Sequence, residues 1–173
     1  MFYALSIAMA LQCLFLSYVS ALAPAKFLRL PRNKWAGAAI GTACLAWSSW
    51  YGCMMLEGGL ARFRFIVVLL VPVTAILAFL FLDYLYARAI GGFFVLASNE
   101  LIRQAFAADI MIRPFFSFLC LAVGICGLFM LGLPWRMRDA IAISAARPAA
   151  GRAIGAVFAV CGIAFAVLPF FRH

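Results

Sequence analysis

The chain has 173 residues, of which 69% are hydrophobic and 11% charged, where an average soluble domain is about half apolar and roughly a quarter charged. A water-soluble fold of this size has too little interior to hide that much apolar surface, which leaves lipid as the solvent. Fourteen Lys and Arg against five Asp and Glu give a net charge of +9, but the basic residues stand at the ends of apolar runs, where they anchor helices to phosphate headgroups, so the excess does not point to nucleic acid.

A membrane-crossing helix needs about 20 apolar residues. The first predicted span is 3–23. Ala21-Leu22-Ala23 has the small-x-small look of a signal cleavage site, but no positive charge precedes the apolar run and Pro24 follows it, so the segment is expected to remain as a span. A basic loop with Lys26, Arg29, Arg32 and Lys34 comes next. The second span, 35–56, carries Trp35 at one end and Trp47, Trp50 and Tyr51 toward the other, in the manner of interfacial aromatic belts. Glu57-Gly58-Gly59 breaks the run, and the third span, 65–82, contains Pro72 as an expected kink.

The segment after Asp83 is ambiguous at this level. It is apolar from Ala89 to Ser98, then meets Asn99, Glu100 and Arg103. It reads either as a short fourth span over 87–106 or as a re-entrant half-helix. The fifth and sixth spans are 115–135 and 153–171, separated by a modest loop carrying Arg136, Arg138, Asp139, Arg147 and Arg152.

Charge placement favours six spans. With the N-terminus outside, Lys26, Arg29, Arg32, Lys34, Arg88, Arg136, Arg138, Arg147 and Arg152 lie inside, against Arg62, Arg64, Arg103, Arg113 and Arg172 outside. With five spans the division is closer to even, because the four Arg of the last loop move outside. The predicted fold is therefore an all-α, polytopic membrane helical bundle in one domain, residues 1–173, with six transmembrane helices, or five plus one re-entrant or short helix as the alternative. Twelve of the fourteen basic residues are Arg, a bias typical of GC-rich bacterial genomes. The expected location is the bacterial cytoplasmic (inner) membrane. The tetrapeptide Arg-Ala-Ile-Gly at 88–91 and again at 152–155, with Ala38-Ala39-Ile40-Gly41 close to it, would fit three tandem helical hairpins, although chance matches are common in a chain this rich in Ala, Ile and Gly.

Enzymatic machinery is not visible. His173 is the sole histidine and stands at the terminus, which removes paired-histidine haem ligation and His-rich metal sites. No P-loop, dinucleotide fingerprint or H-E-x-x-H motif occurs. Cys13, Cys44, Cys53, Cys120, Cys126 and Cys161 include no C-x-x-C pair and read as small hydrophobes. No catalytic residue, metal or cofactor is expected.

Two sets of residues remain. Asp83, Arg88, Asn99, Glu100 and Arg103 form the candidate intramembrane polar site: a pocket or ion path on one reading, interfacial ion pairs on the other. Glu100 with Arg103 and Asp109 with Arg113 have helical pairing distances, and Asp83 can reach Arg88 across a turn. Gly37, Gly41, Gly91, Gly92, Gly124, Gly127, Gly151 and Gly155 mark expected close approaches between helices. The expected function is a non-enzymatic multi-pass protein, a subunit or partner-packing component of a membrane complex. The alternative is a small transporter or channel with its site around the interrupted segment 83–103. Expected partners are the bilayer, anionic headgroups at the basic loops, and another membrane protein or a second copy.

Overall fold

A computed structural model describes residues 2–22, 24–28, 30–56, 58–107 and 112–170. Among the described residues seven α-helices run in chain order: α1 (Phe2–Ala21), α2 (Lys34–Met55), α3 (Arg64–Phe81), α4 (Leu85–Ala107), α5 (Arg113–Gly132), α6 (Trp135–Ala146) and α7 (Pro148–Val167). Short 3-10 turns occupy Pro24–Phe27, Leu30–Arg32, Gly58–Phe63 and Leu168–Phe170, and the described residues contain no strand.

Local chemistry sets the boundaries. Asn33 caps α2, its side-chain oxygen accepting from the backbone N–H of Trp35 and Ala36 at 3.2 and 3.3 Å, which satisfies two of the orphan donors every helix start leaves. Pro114 and Pro148 sit in the first turns of α5 and α7, where a missing N–H costs nothing. The guanidinium of Arg64 donates to the carbonyl of Leu56 at 2.8 and 3.1 Å and closes the turn between α2 and α3. Pro72 lies inside α3, where it has no N–H to give the preceding turn.

Among the described residues four helices are long and apolar enough to cross a membrane: α1, Ala61–Phe81, α5 and Pro148–Phe170. The other two expected spans, α2 and α4, fall short of that measure for a compositional reason. Glycines, serines and tryptophans dilute α2, and α4 carries Arg88, Asn99, Glu100, Arg103 and Gln104.

Two points of the sequence reading are refined. Residues 85–107 form one continuous helix, which fits the single helical segment read over 87–106 and excludes the half-helix given as its alternative. Asn99 and Glu100 are good enough helix residues inside a packed context to be carried through. The segment read as a loop between the last two spans contains α6, a twelve-residue helix.

The long helices alternate in direction. Gly91 meets Gly127 and Ser98 meets Gly124, so α4 and α5 are antiparallel. Gly155 meets Ala21 and Gly162 meets Leu14, so α1 and α7 are antiparallel too. Gly37 meets Tyr86, and Tyr51 meets Glu100, so α2 and α4 run parallel, with α3 returning between their ends. In this arrangement α1 lies along α7, and α4 touches both α2 and α5. It gathers Lys26, Arg32, Lys34, Arg88, Arg136, Arg138, Arg147 and Arg152 at one end of the bundle, here called the basic end. Helix α6 packs there, against α7 and the turn Pro24–Phe27.

Helix α4 is the core element. It buries 12 of its 23 residues, among them Ile90, Phe94 and Leu101. Phe116 of α5, Phe165 of α7 and Met9 of α1 close on it from the other side. Ser6 of α1 is also buried and donates to the carbonyl of Phe165 at 2.5 Å, a polar tie inside the α1–α7 contact.

Candidate functional site

The five candidate polar residues do not form one site. Arg88 and Glu100 are twelve positions apart, about 18 Å along a helix axis, and Gly91–Ala97 between them is apolar. Asp83 and Asn99 are exposed, and among the described residues Asp83 makes no ion pair with Arg88. The expected Asp109–Arg113 pair lies outside the described residues, because Asp109 is not one of them.

The first cluster surrounds Glu100, which is 2% exposed. One carboxylate oxygen accepts from the Tyr51 hydroxyl at 2.6 Å and from Nε of Arg103 at 3.0 Å. The other accepts from Nη2 of Arg103 at 2.6 Å and from the side-chain amide of Gln104. An ionised carboxylate offers about four acceptor positions, and this one has all of them filled. The Arg103 side chain is 66% exposed, so the pair is buried at the carboxylate and wet at the guanidinium, as expected of an arginine reaching for the surface from a helix end. The cluster ties α2 to α4 and leaves no free lone pair for a substrate or ion.

Tyr51 was not legible as a partner of Glu100 from pairwise spacing within one helix, because the contact crosses between two. A signal exists nonetheless. Gly37, Cys44 and Tyr51 recur every seven residues, and that stripe is the face α2 turns toward α4.

The second cluster is at the basic end. Arg88 lines a groove of about 380 Å³ whose walls come from α2, α3 and α4, with Leu131 of α5. Its Nη1 donates to the carbonyl of Leu131 at 3.4 Å, a long bond, and its Nε is buried without a partner. Beside it, the Tyr84 ring has the guanidinium carbons of Arg32 and Arg138 at 5.7 and 5.9 Å from its centroid. Arg138 also donates to the Tyr84 hydroxyl at 3.1 Å and pairs with Asp139. Tyr84 thus connects the first loop, the α3–α4 turn and α6, and it holds a positive φ of 57° to do so, a conformation uncommon for a residue with a side chain.

The glycines divide similarly. A Cβ at Gly37 would stand 2.5 Å from the backbone nitrogen of Tyr86, and at Gly91 2.7 Å from the carbonyl oxygen of Gly127. Gly127, Gly151 and Gly155 are as tight, Gly124 is closed by Ser98 at 3.2 Å, and Gly41 makes only ordinary contact at 3.7 Å. Gly92 meets nothing within 4 Å, so the close approach belongs to Gly91 alone. Gly162, which falls seven residues after Gly155 and where a Cβ would stand 2.9 Å from the Leu14 side chain, belongs to the same seam of α7 but has no G-x-x-x-G partner to flag it.

Among the described residues no group of three or more His, Cys, Asp or Glu side chains is placed to hold a metal ion. Compared with the models of known families, with curated proteins and with solved structures, the chain matches none.

Proposed function

We propose that this chain is a six-span protein of a bacterial inner membrane, N-terminus outside, that serves as a packing subunit of a membrane complex, with α3 as the face that meets the partner. The observation that carries the reading is the burial pattern of α3. None of its 18 residues is buried. Its packing is against α2 and the turn before it, and α2 itself buries only Gly37 and Cys44. Helices in lipid associate through close packing and polar contacts, and α3 has little of either within the chain. A second polypeptide against Phe65, Leu69 or Ile76 would supply the packing.

Support for α2 and α4 as spans comes from length and direction. At ~1.5 Å per residue, helices of 22 and 23 residues reach about 33 to 35 Å, against a hydrocarbon core of about 30 Å. The gathering of basic residues at one end fits the positive-inside rule for that topology.

A transporter has less behind it. Its polar site would have to join Arg88 to Glu100, and the Glu100 carboxylate is fully occupied.

Photo-crosslinking side chains placed at Leu69 or Ile76, compared with Phe118 on the exposed side of α5, test the proposal. The same second polypeptide should be captured reproducibly from α3 and not from Phe118. Capture of lipid alone from every position would defeat it.

A further inference from the structure

We infer that the groove at Arg88 holds one anionic phospholipid, its phosphate on the guanidinium and an acyl chain lying along α4 toward Leu96. The inference rests on the six-span reading, which puts the basic end at a membrane surface.

Three observations converge on it. The first is an unspent cation. Nε of Arg88 is buried without a partner and Nη1 reaches Leu131 only at 3.4 Å. The nearest carboxylate in sequence, Asp83, is exposed and does not pair with it. A guanidinium at a membrane surface with free donors is a receptor for a phosphate oxygen, which it binds through a planar fork. The parallel starts of α2 and α4 lie at the same end and add the positive poles of two helix dipoles.

The second observation is the shape of the groove. Its volume of about 380 Å³ falls within the roughly 300–1,000 Å³ of small-molecule sites. Away from Arg88 the walls are almost wholly apolar, including Leu45, Ala78, Leu82 and Val95. From Arg88 to Leu96 it follows α4 for about 12 Å, most of one leaflet of a core about 30 Å thick. A headgroup at Arg88 and an acyl chain running inward match both the polarity and the length.

The third is Gly92. A Cβ there would meet no atom of another element within 4 Å, yet Gly92 lines the groove. The helix pays the usual cost of an interior glycine with no neighbouring helix pressed on it. The space it leaves open is the groove itself. Basic pockets between spans at the cytoplasmic side are a recurrent mode of anionic-lipid recognition.

The test is native mass spectrometry of the full chain in mild detergent, titrated with phosphatidylglycerol, phosphatidylcholine or inorganic phosphate. The unmodified chain should retain one phosphatidylglycerol about tenfold more readily than phosphatidylcholine, as expected of one charge-assisted contact, and inorganic phosphate should not displace it. Arg88→Gln should abolish the preference between lipids, and Gly92→Leu should reduce retention of both. Equal retention of the two lipids by the unmodified chain, an unchanged preference in Arg88→Gln, or displacement by inorganic phosphate overturns the site. Should Gly92→Leu not fold, Arg88→Gln alone decides. Failure of the span reading looks different: a membrane-impermeant thiol reagent would then label Leu96→Cys, in a chain otherwise free of cysteine, in intact and permeabilised membranes alike.

Discussion

Among the described residues Glu100 is the only charged side chain in the interior, and its surroundings explain how the bundle tolerates it. A buried carboxylate is costly unless every lone pair is satisfied. Here Tyr51, Arg103 and Gln104 share that task, and the counter-charge stays wet. Tyr51→Phe removes the single donor that comes from another helix, and should lower unfolding stability by about 1 kcal/mol, since polar contacts between membrane helices are worth roughly 0.6 to 2 kcal/mol. Glu100→Ala should cost more, about 2 to 3 kcal/mol, because it strands the half-buried Tyr51 hydroxyl as well as removing the ionic contact. Reversible unfolding in mixed detergent micelles measures both. A Tyr51→Phe chain as stable as the parent would mean that α2 is held by packing alone. By contrast, the Arg138–Asp139 pair is exposed on both sides, at 50% and 43%, and replacing Asp139 by Asn should change stability by less than about 0.5 kcal/mol. At this scale the sequence revealed the Glu100–Arg103 pair, because a three-residue spacing on a helix is a local property. It could not reveal Tyr51, whose approach depends on how α2 and α4 run relative to one another.

Glycines mark the tightest approaches between elements. At Gly37 and Gly91 the neighbouring backbone is closer than a Cβ permits. Alanine there gains up to about 1 kcal/mol of helix propensity but has to push a helix away, and overpacking of this kind costs about 1 to 3 kcal/mol. The clash wins when the obstacle is backbone, so Gly37→Ala and Gly91→Ala should both destabilise. At Gly92 nothing opposes the propensity gain, and Gly92→Ala should leave the unfolding midpoint unchanged or raise it. Equal effects at Gly91 and Gly92 would contradict the α4–α5 crossing described above. The helices themselves were legible from apolar runs and from Pro and Gly punctuation. What escaped were features that apolar runs do not encode. Helix α6 is polar on much of its surface and reads as loop, but buries Met137, Ile141 and Ser144 against the basic end. The half-helix alternative came from counting apolar residues before Asn99, and α4 continues past that point with Asn99 exposed and Glu100 paired with Arg103.

For the whole molecule, α1, α7, α4 and α5 form a packed body with α6 across its basic end, and α2 with α3 forms an arm on the side of α4. Two contacts hold that arm: the Glu100 cluster near one end, and the close approach of Gly37 to the Leu85–Tyr86 backbone near the other. The groove at Arg88 lies between these attachments. Four spans follow from apolar length alone. The six-span account adds α2 and α4, and α4 is the more demanding of the two, since it carries three charges. The most direct test is to place single cysteines at Asp83 and at Ala107, which flank α4, in a chain otherwise free of cysteine, and to treat cells with a membrane-impermeant thiol reagent. The six-span account predicts labelling of the Ala107 position from outside intact cells, and of the Asp83 position only after permeabilisation. Labelling of both positions from the same side would mean that α4 does not cross the membrane.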